Sequence, residues 1–277
     1  MSISVDPDRV KSESHINGES MQKLALITGA SSGIGAEASR ELARLGYRVI
    51  LLARTEAKLV EVASSIGPLA SIEVCDAGSD QEVLEMANRV RQVYGVPDVI
   101  VNSAGMGQWK RIEGTTPAEA REMIAAPYLS AFNVTHAFMR EMLQRRSGTI
   151  IHVNSPACYM AWPGAVAYTA ARCALRGLHE ALRQDLTGTG VKSCHVVFGR
   201  VDSEYFTNNT GIEAQIPKIA NTIPTLTVGD CARVIGKIAS VPRNETIYPF
   251  MLRFYYWNNL VIPWFVRWLL RVTGSKH

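Results

Sequence analysis

Residues 23 to 46 read KLALITGASSGIGAEASRELARLG, and this stretch decides the fold. An apolar run, KLALIT (23 to 28), passes through Thr28-Gly29-Ala30-Ser31-Ser32-Gly33-Ile34-Gly35 into the amphipathic pattern GAEASRELARLG (35 to 46). That order predicts a buried strand, a glycine turn and a helix. Glycines at such a turn remove Cβ atoms, so backbone N–H groups and the helix N-terminus can approach a pyrophosphate, whose charge the helix dipole favours. A glycine-rich turn alone says little. Its place between a buried strand and a helix, with a further strand beginning near Tyr47, makes the ligand-binding reading specific.

Outward from this unit the same texture repeats. Apolar runs fall at YRVILLA (47 to 53), LASIEVC (69 to 75), PDVIVN (97 to 102), GTIIHVN (148 to 154) and VKSCHVVF (191 to 198), with a last strand signal at 245 to 250. They are continuous rather than alternating, as in parallel strands covered on both faces. The helical pattern SDQEVLEMANRVRQVYG (79 to 95), like 35 to 46, closes on a glycine suited to a C-cap. Strand and helix in alternation predict an α/β protein with a doubly wound parallel sheet. The 277 residues fit a single core. Residues 1 to 20 are polar, without the apolar core of a signal peptide, and predict a flexible tail, with Met21 a second candidate start. Residues 21 to 250 then form the main domain, and 251 to 277 an aromatic-rich extension.

Composition removes several classes. An apolar share of 47% with 19% charged residues excludes a disordered or fibrous chain. A net charge of +4 without a clustered basic face argues against nucleic acid as partner. Cys75, Cys158, Cys173, Cys194 and Cys231 form no CxxC or Cys/His cluster, so neither a disulfide framework nor a metal site is expected, and a reducing cytoplasm is.

Further motifs fall in order. Asn102-Ser103-Ala104-Gly105 closes one strand run, Cys75-Asp76 another; Ser155 and Tyr168 lie 13 residues apart; Gly199-Arg200-Val201-Asp202-Ser203 follows the last long run. With the TGxxxGxG turn, these resemble the short-chain dehydrogenase/reductase family from Lys23 to about Phe250. The resemblance implies a Rossmann-type three-layer α/β/α fold. It also implies a dinucleotide held by Gly29, Ser31, Ser32, Gly33, Ile34 and Gly35 at the first turn. Asn102, Ala104 and Gly105 match the family's NNAG element, with Ser103 in its second position. Asp76 matches the carboxylate near the adenine. Gly199, Val201 and Ser203 match the PGxVxT turn at the nicotinamide, with Phe198 in place of Pro. Ser155 and Tyr168 match the catalytic Ser and Tyr.

Charge argues the cofactor. The residue ending the second strand meets the adenosine ribose, where a carboxylate selects NAD and an arginine accommodates a 2′-phosphate. Here the end reads Leu52-Ala53-Arg54, so NADP(H) is expected; the plainer reading of Arg54 is a solvated helix-start residue beside Glu56 and Lys58. The implied chemistry is hydride transfer between nicotinamide and a carbonyl or secondary alcohol. A phenol, with an ordinary pKa of about 10, exchanges protons near neutral pH only beside a cation that favours phenolate. In the family this cation, a lysine four residues after the tyrosine, also holds the nicotinamide ribose; this chain reads Tyr168-Thr169-Ala170-Ala171-Arg172. Arg172 keeps the charge and the hydrogen bonds but does not readily give up a proton. A second departure lies in AAPYLSAFNVTHAF (125 to 138), where Pro127 takes the place of the family's relay asparagine, Asn133 being the alternative match. Two readings therefore stay open: an NADP(H)-dependent oxidoreductase, and an NADP-binding interaction or membrane-associated protein with little turnover.

His136, His152, His179 and His195 share no ligand-like spacing and read as structural. The tail MLRFYYWNNLVIPWFVRWLLRVTGSKH carries three of five Trp and is too interrupted to span a bilayer. Pro263 predicts a helix through Leu270, with Arg267 and Arg271 beside Trp264, Phe265, Trp268 and Leu269. This suits either an interfacial membrane helix or a lid or subunit contact. The loop from Asp202 to Thr225 and this tail suggest a lipophilic small-molecule substrate. A cytoplasmic homodimer or homotetramer, with peripheral membrane contact through the C-terminal segment on the interfacial reading, completes the expectation.

Overall fold

The computed structural model describes residues 22–161, 163–203 and 218–273. The expected tail of residues 1 to 20 and most of the loop after Asp202 lie outside them. Seven parallel strands form one sheet in the order β3-β2-β1-β4-β5-β6-β9. They are β1 (Leu24–Thr28), β2 (Arg48–Ala53), β3 (Ala70–Val74), β4 (Val99–Asn102), β5 (Gly148–Asn154), β6 (Val191–Phe198) and β9 (Glu245–Tyr248). A two-residue ladder joins β7 (Val201–Asp202) to β8 (Leu226–Thr227). The first four strands begin one or two residues after the start of their apolar runs, and β5 and β6 coincide with theirs; Asp98 accepts from Leu24 N at 2.8 Å at the entry to β1. β3 stops at Val74, so Cys75 and Asp76 lie in the turn beyond it.

Among the described residues, seven helices connect the strands: α1 (Gly33–Arg44), α2 (Glu56–Ile66), α3 (Asp80–Val93), α4 (Pro117–Ile124), α5 (Ser130–Arg145), α6 (Val166–Asp185) and α7 (Val228–Ser240). Strand residues alternate between two cores. Ala25, Ile27, Val49 and Val101 meet Leu42, Leu59 and Ile235 of α1, α2 and α7 on one face. Leu24, Leu26, Ile50 and Ile100 meet Met86, Val90, Phe138 and Met142 of α3 and α5 on the other. Each fully buried Leu or Phe contributes about 2 kcal/mol to this packing. The C-capping glycines do end their helices: Gly46 and Gly95 follow α1 and α3 with φ of 89° each, a left-handed conformation that spares a side chain.

The carboxyl ends of β1 and β4 face the crevice where strand order reverses, the usual place for a ligand in a doubly wound sheet. Between α4 and α5, Ala125–Leu129 form one π-helical turn containing the buried Pro127. Proline has no N–H to give the preceding turn, and the wider turn accommodates that loss. The last strand signal ends at Tyr248; residues from 250 onward fold instead into α8 (Phe250–Val261) and α9 (Pro263–Thr273). Leu252 and Val266 pack with Cys158, Met160 and Val197 and fasten this hairpin to the body. Among the described residues no helix is long and apolar enough to cross a membrane.

Candidate active site

A cleft of about 1070 Å³ opens at the carboxyl ends of the strands. Its floor is the turn after β1. Gly29 and Gly33 have φ of 66° and 54°, and a Cβ on Gly29 would lie 2.9 Å from the Ala104 backbone. A Cβ on Gly35 would sit 2.2 Å from the Gly29 carbonyl oxygen. The glycines thus let the turns after β1 and β4 close on each other, a contact that Thr28 ties by accepting from Ser103 N and Ala104 N at 3.1 and 3.0 Å. Ser32 caps α1 without a side-chain hydrogen bond, and the first turn of α1 carries no acid. Ser31, Ser32, Gly33, Ile34 and Gly35 line the cleft, so unsatisfied N–H groups and the positive helix end face its interior. That cradle fits a pyrophosphate.

Arg54 stands exposed at the rim, directly after β2. Asp76 also lines the cleft, and its carboxylate accepts from Gly78 N at 2.9 Å. Asn102 does not line it. That side chain is buried beneath, donating to Thr135 Oγ1 at 3.1 Å and facing His152 Nδ1 at 3.3 Å. Ala104 and Gly105 form the wall above it, and Gly199, Val201 and Ser203 the wall opposite.

Another part of the cleft gathers Ser155, Tyr168 and Arg172. Ser155 follows β5 and caps a short 3-10 turn, Tyr168 sits in the first turn of α6, and Arg172 lies one turn on; all three line the cleft. Arg172 is 9% exposed, its guanidinium 5.1 Å from the Tyr168 ring centroid, its Nη1 donating to Val153 O at 3.3 Å. Gly105 makes room for it: a Cβ there would lie 2.8 Å from Arg172 Nη2. Two buried polar atoms in the lining, Arg172 Nε and Gln108 Oε1, have no partner among the described residues, which suits a polar ligand.

The apolar wall includes Trp109 and Met160, which sequence reasoning missed, beside the tail it had offered as a lid. Trp109 packs against Tyr168 with ring centroids 5.6 Å apart, and Met160, Leu252, Tyr255, Val266 and Leu270 extend the surface. Trp109 comes from the segment after β4 and Met160 from the segment after β5, where no motif marks them, and the rest come from α8 and α9. Pro127 and Asn133 both lie outside the lining; Asn133 donates to Ala77 O at 3.1 Å and holds the turn after β3.

The histidines are closer than their spacing implies. His179 stacks on His195 at 5.1 Å, and His152 meets His179 edge-on at 6.2 Å, because β5, α6 and β6 are neighbours. Burial, reinforced by the adjacent imidazoles, holds His152 well below its ordinary value and His179 down to about 4. His152 Nε2 has no partner among the described residues, so that ring is less fully satisfied than the sequence suggests. His136 stands apart, stacked on Phe132.

The short chain dehydrogenase family model matches residues 23–213. The chain belongs to the short-chain dehydrogenase/reductase family, whose oxidoreductases act on CH–OH and C=O groups of small molecules. An uncharacterized oxidoreductase of Staphylococcus saprophyticus is 30% identical over 189 residues, covering 67% of this chain and 81% of that one. The 3-oxoacyl-[acyl-carrier-protein] reductase of Escherichia coli is 28% identical over 235 residues, 79% of this chain and 95% of the relative. Among solved structures, the alcohol dehydrogenase of Thermococcus sibiricus complexed with 5-hydroxy-NADP superposes with a TM-score of 0.72 at 26% identity, covering 81% of this chain and 95% of that one.

Proposed function

We propose that the protein is an NADP(H)-dependent oxidoreductase that interconverts a carbonyl and a secondary alcohol on a lipophilic small molecule. The observation that carries this is the convergence of Ser155, Tyr168 and Arg172 on one cleft with the open N-terminus of α1. Arg54 at the end of β2 favours the 2′-phosphate, and the relative complexed with 5-hydroxy-NADP supports the same cofactor.

Bound there, the nicotinamide supplies or accepts hydride. Ser155 donates a hydrogen bond to the substrate oxygen, and Tyr168 gives that oxygen its proton during reduction or removes it during oxidation. Arg172 keeps a fixed positive charge against the tyrosine ring and presents N–H donors to the nicotinamide ribose. The wall of Trp109, Leu252, Val266 and Leu270 excludes water and selects apolar substrates.

The test is carbonyl-dependent NADPH oxidation by wild type and Tyr168→Phe. The variant is expected to lose nearly all turnover while NADPH affinity stays within about twofold, because the lost hydroxyl faces substrate. Stoichiometric NADPH binding by wild type, with no turnover of any carbonyl, would favour the binding-protein alternative.

The reading extends to an anionic membrane surface. Phe250, Phe254, Trp257 and Val261 repeat along α8, and Trp264, Trp268 and Val272 along α9, all exposed. No acidic residue follows Glu245, whereas Arg253, Arg267 and Arg271 are exposed beside these stripes. Exposed Trp with flanking Arg suits the headgroup boundary of a bilayer, and the opposite faces of the same helices line the cleft.

A further inference from the structure

Asn154 immediately precedes Ser155 and is almost fully buried at the end of β5. Its Oδ1 accepts from Ser155 N at 2.8 Å, and its Nδ2 donates to the Arg172 carbonyl oxygen at 3.0 Å. One amide therefore joins the strand that presents Ser155 to the helical turn that presents Tyr168 and Arg172. The remaining amide hydrogen points to His195 Nε2 at 2.9 Å.

The orientation of that amide is not free. Exchanging its oxygen and nitrogen would set an NH₂ group against the Ser155 N–H and an oxygen against the Arg172 carbonyl. With Nδ2 toward the ring, His195 Nε2 must offer its lone pair, so the ring proton lies on Nδ1. Nδ1 faces Tyr159 Oη at 3.2 Å and Glu245 Oε1 at 3.7 Å. Tyr159 in turn donates to the Glu245 carboxylate. Burial, with this hydrogen bond, pushes the Tyr159 phenol up, so it keeps its proton; hydrogen bonding from His195 holds Glu245 below the usual carboxylate value. The donors all run one way, from Asn154 through His195 and Tyr159 to a carboxylate, and each bond polarises the next. From α6, His179 stacks on His195 and the Arg176 guanidinium lies 4.4 Å over the Tyr159 ring.

We propose that Asn154 is a positioning residue for the hydride-transfer site, and that His195, Tyr159 and Glu245 lock the one amide orientation that holds Ser155 and the reacting turn of α6 together. This rests on reading Ser155 and Tyr168 as the reacting pair, and two measurements separate the claims. The first needs no turnover: two-dimensional NMR of the protein carrying ¹⁵N-histidine should show His195 protonated at Nδ1 with a lone pair at Nε2. In Asn154→Asp, whose carboxylate accepts, the proton should move to Nε2. A wild-type ring protonated at Nε2 overturns the lock, whatever the activity.

The second is steady-state kinetics with NADPH and an accepted carbonyl. Asn154→Asp and His195→Leu should each lower kcat about tenfold with NADPH affinity within about twofold, as expected for a misplaced reacting pair. His195→Gln, which can accept at Oε1 and donate at Nε2, should keep kcat within about threefold of wild type. Should those variants not fold, Tyr159→Phe interrupts the same chain nearer the surface and should lower kcat about threefold. Wild-type kcat in folded Asn154→Asp and His195→Leu, or failing those in Tyr159→Phe, overturns the positioning role. Full activity in Tyr168→Phe would instead overturn the reacting pair and leave the tautomer result standing by itself.

Discussion

The guanidinium of Arg172 is longer and flatter than an ammonium, and its surroundings match that shape. Gly105 leaves the space that Nη2 fills, and Val153 O receives Nη1. Arg172→Lys should lose that backbone contact and lower kcat about threefold, whereas Gly105→Ala should displace the guanidinium and cost about tenfold; carbonyl-dependent NADPH oxidation measures both. At the other end of the cleft, Arg54→Asp places a negative charge where the 2′-phosphate is expected. NADPH affinity should fall about thirtyfold, on the order of 2 kcal/mol, with NADH gaining relatively; equal NADPH affinity by titration calorimetry would remove Arg54 from the site. Ser155, Tyr168 and Arg172 were legible through the resemblance, whose motif spacing they match; Ser155 follows a strand, and the other two lie one helical turn apart. Asn102 was legible only as part of a motif. That its side chain goes beneath the cleft depends on Thr135 and His152, which sequence does not place beside it.

Among the elements, α9 shows most plainly how one helix serves two surfaces. Val266 and Leu270 point inward to the cleft while Trp264 and Trp268 are exposed on another face. Trp264→Ala with Trp268→Ala should therefore reduce binding to vesicles of anionic lipid at least about tenfold and leave the KM for a soluble substrate unchanged. Leu270→Ala should do the reverse, raising KM several-fold by removing apolar wall while vesicle binding persists. Sedimentation with vesicles and kinetics on the same samples would check both. Absence of vesicle binding by the full-length protein would overturn the membrane reading of the exposed stripes. The helix starting at Pro263 was readable from its proline and periodicity. α8 was not: its apolar residues are distributed almost around the helix, so periodicity gave no face, and contact with the body decides it. The π-helical turn at Pro127 was likewise invisible, because sequence shows a missing N–H but not how neighbouring turns widen to accommodate it.

For the whole molecule, the buried imidazoles predict how stability responds to acid. His179, held at about 4 when folded and near 6.5 when unfolded, takes up its proton first in the unfolded chain. Stability from this group is thus complete above about pH 6.5 and is lost as pH falls toward 4, by at most on the order of 3 kcal/mol. His152 acts with the same sign, and so does Glu245, whose depressed carboxyl loses its advantage on protonation. Urea midpoints should fall between pH 7 and pH 4.5, and His179→Gln should flatten the slope; an unchanged midpoint in wild type would contradict the buried cluster. By itself the sequence determined whatever depends on neighbours along the chain: alternating strands and helices, the glycine turn at the head of α1, the tyrosine and arginine on one face of α6, and the charge at the end of β2. Only the tertiary structure decided what meets across elements, namely the imidazole cluster, the chain from Asn154 to Glu245, and the wall that α8 and α9 add to the cleft. Periodicity and spacing encode local conformation, but strand order and helix docking bring β5, α6, β6 and β9 together, and those follow from burying the two faces of the whole sheet.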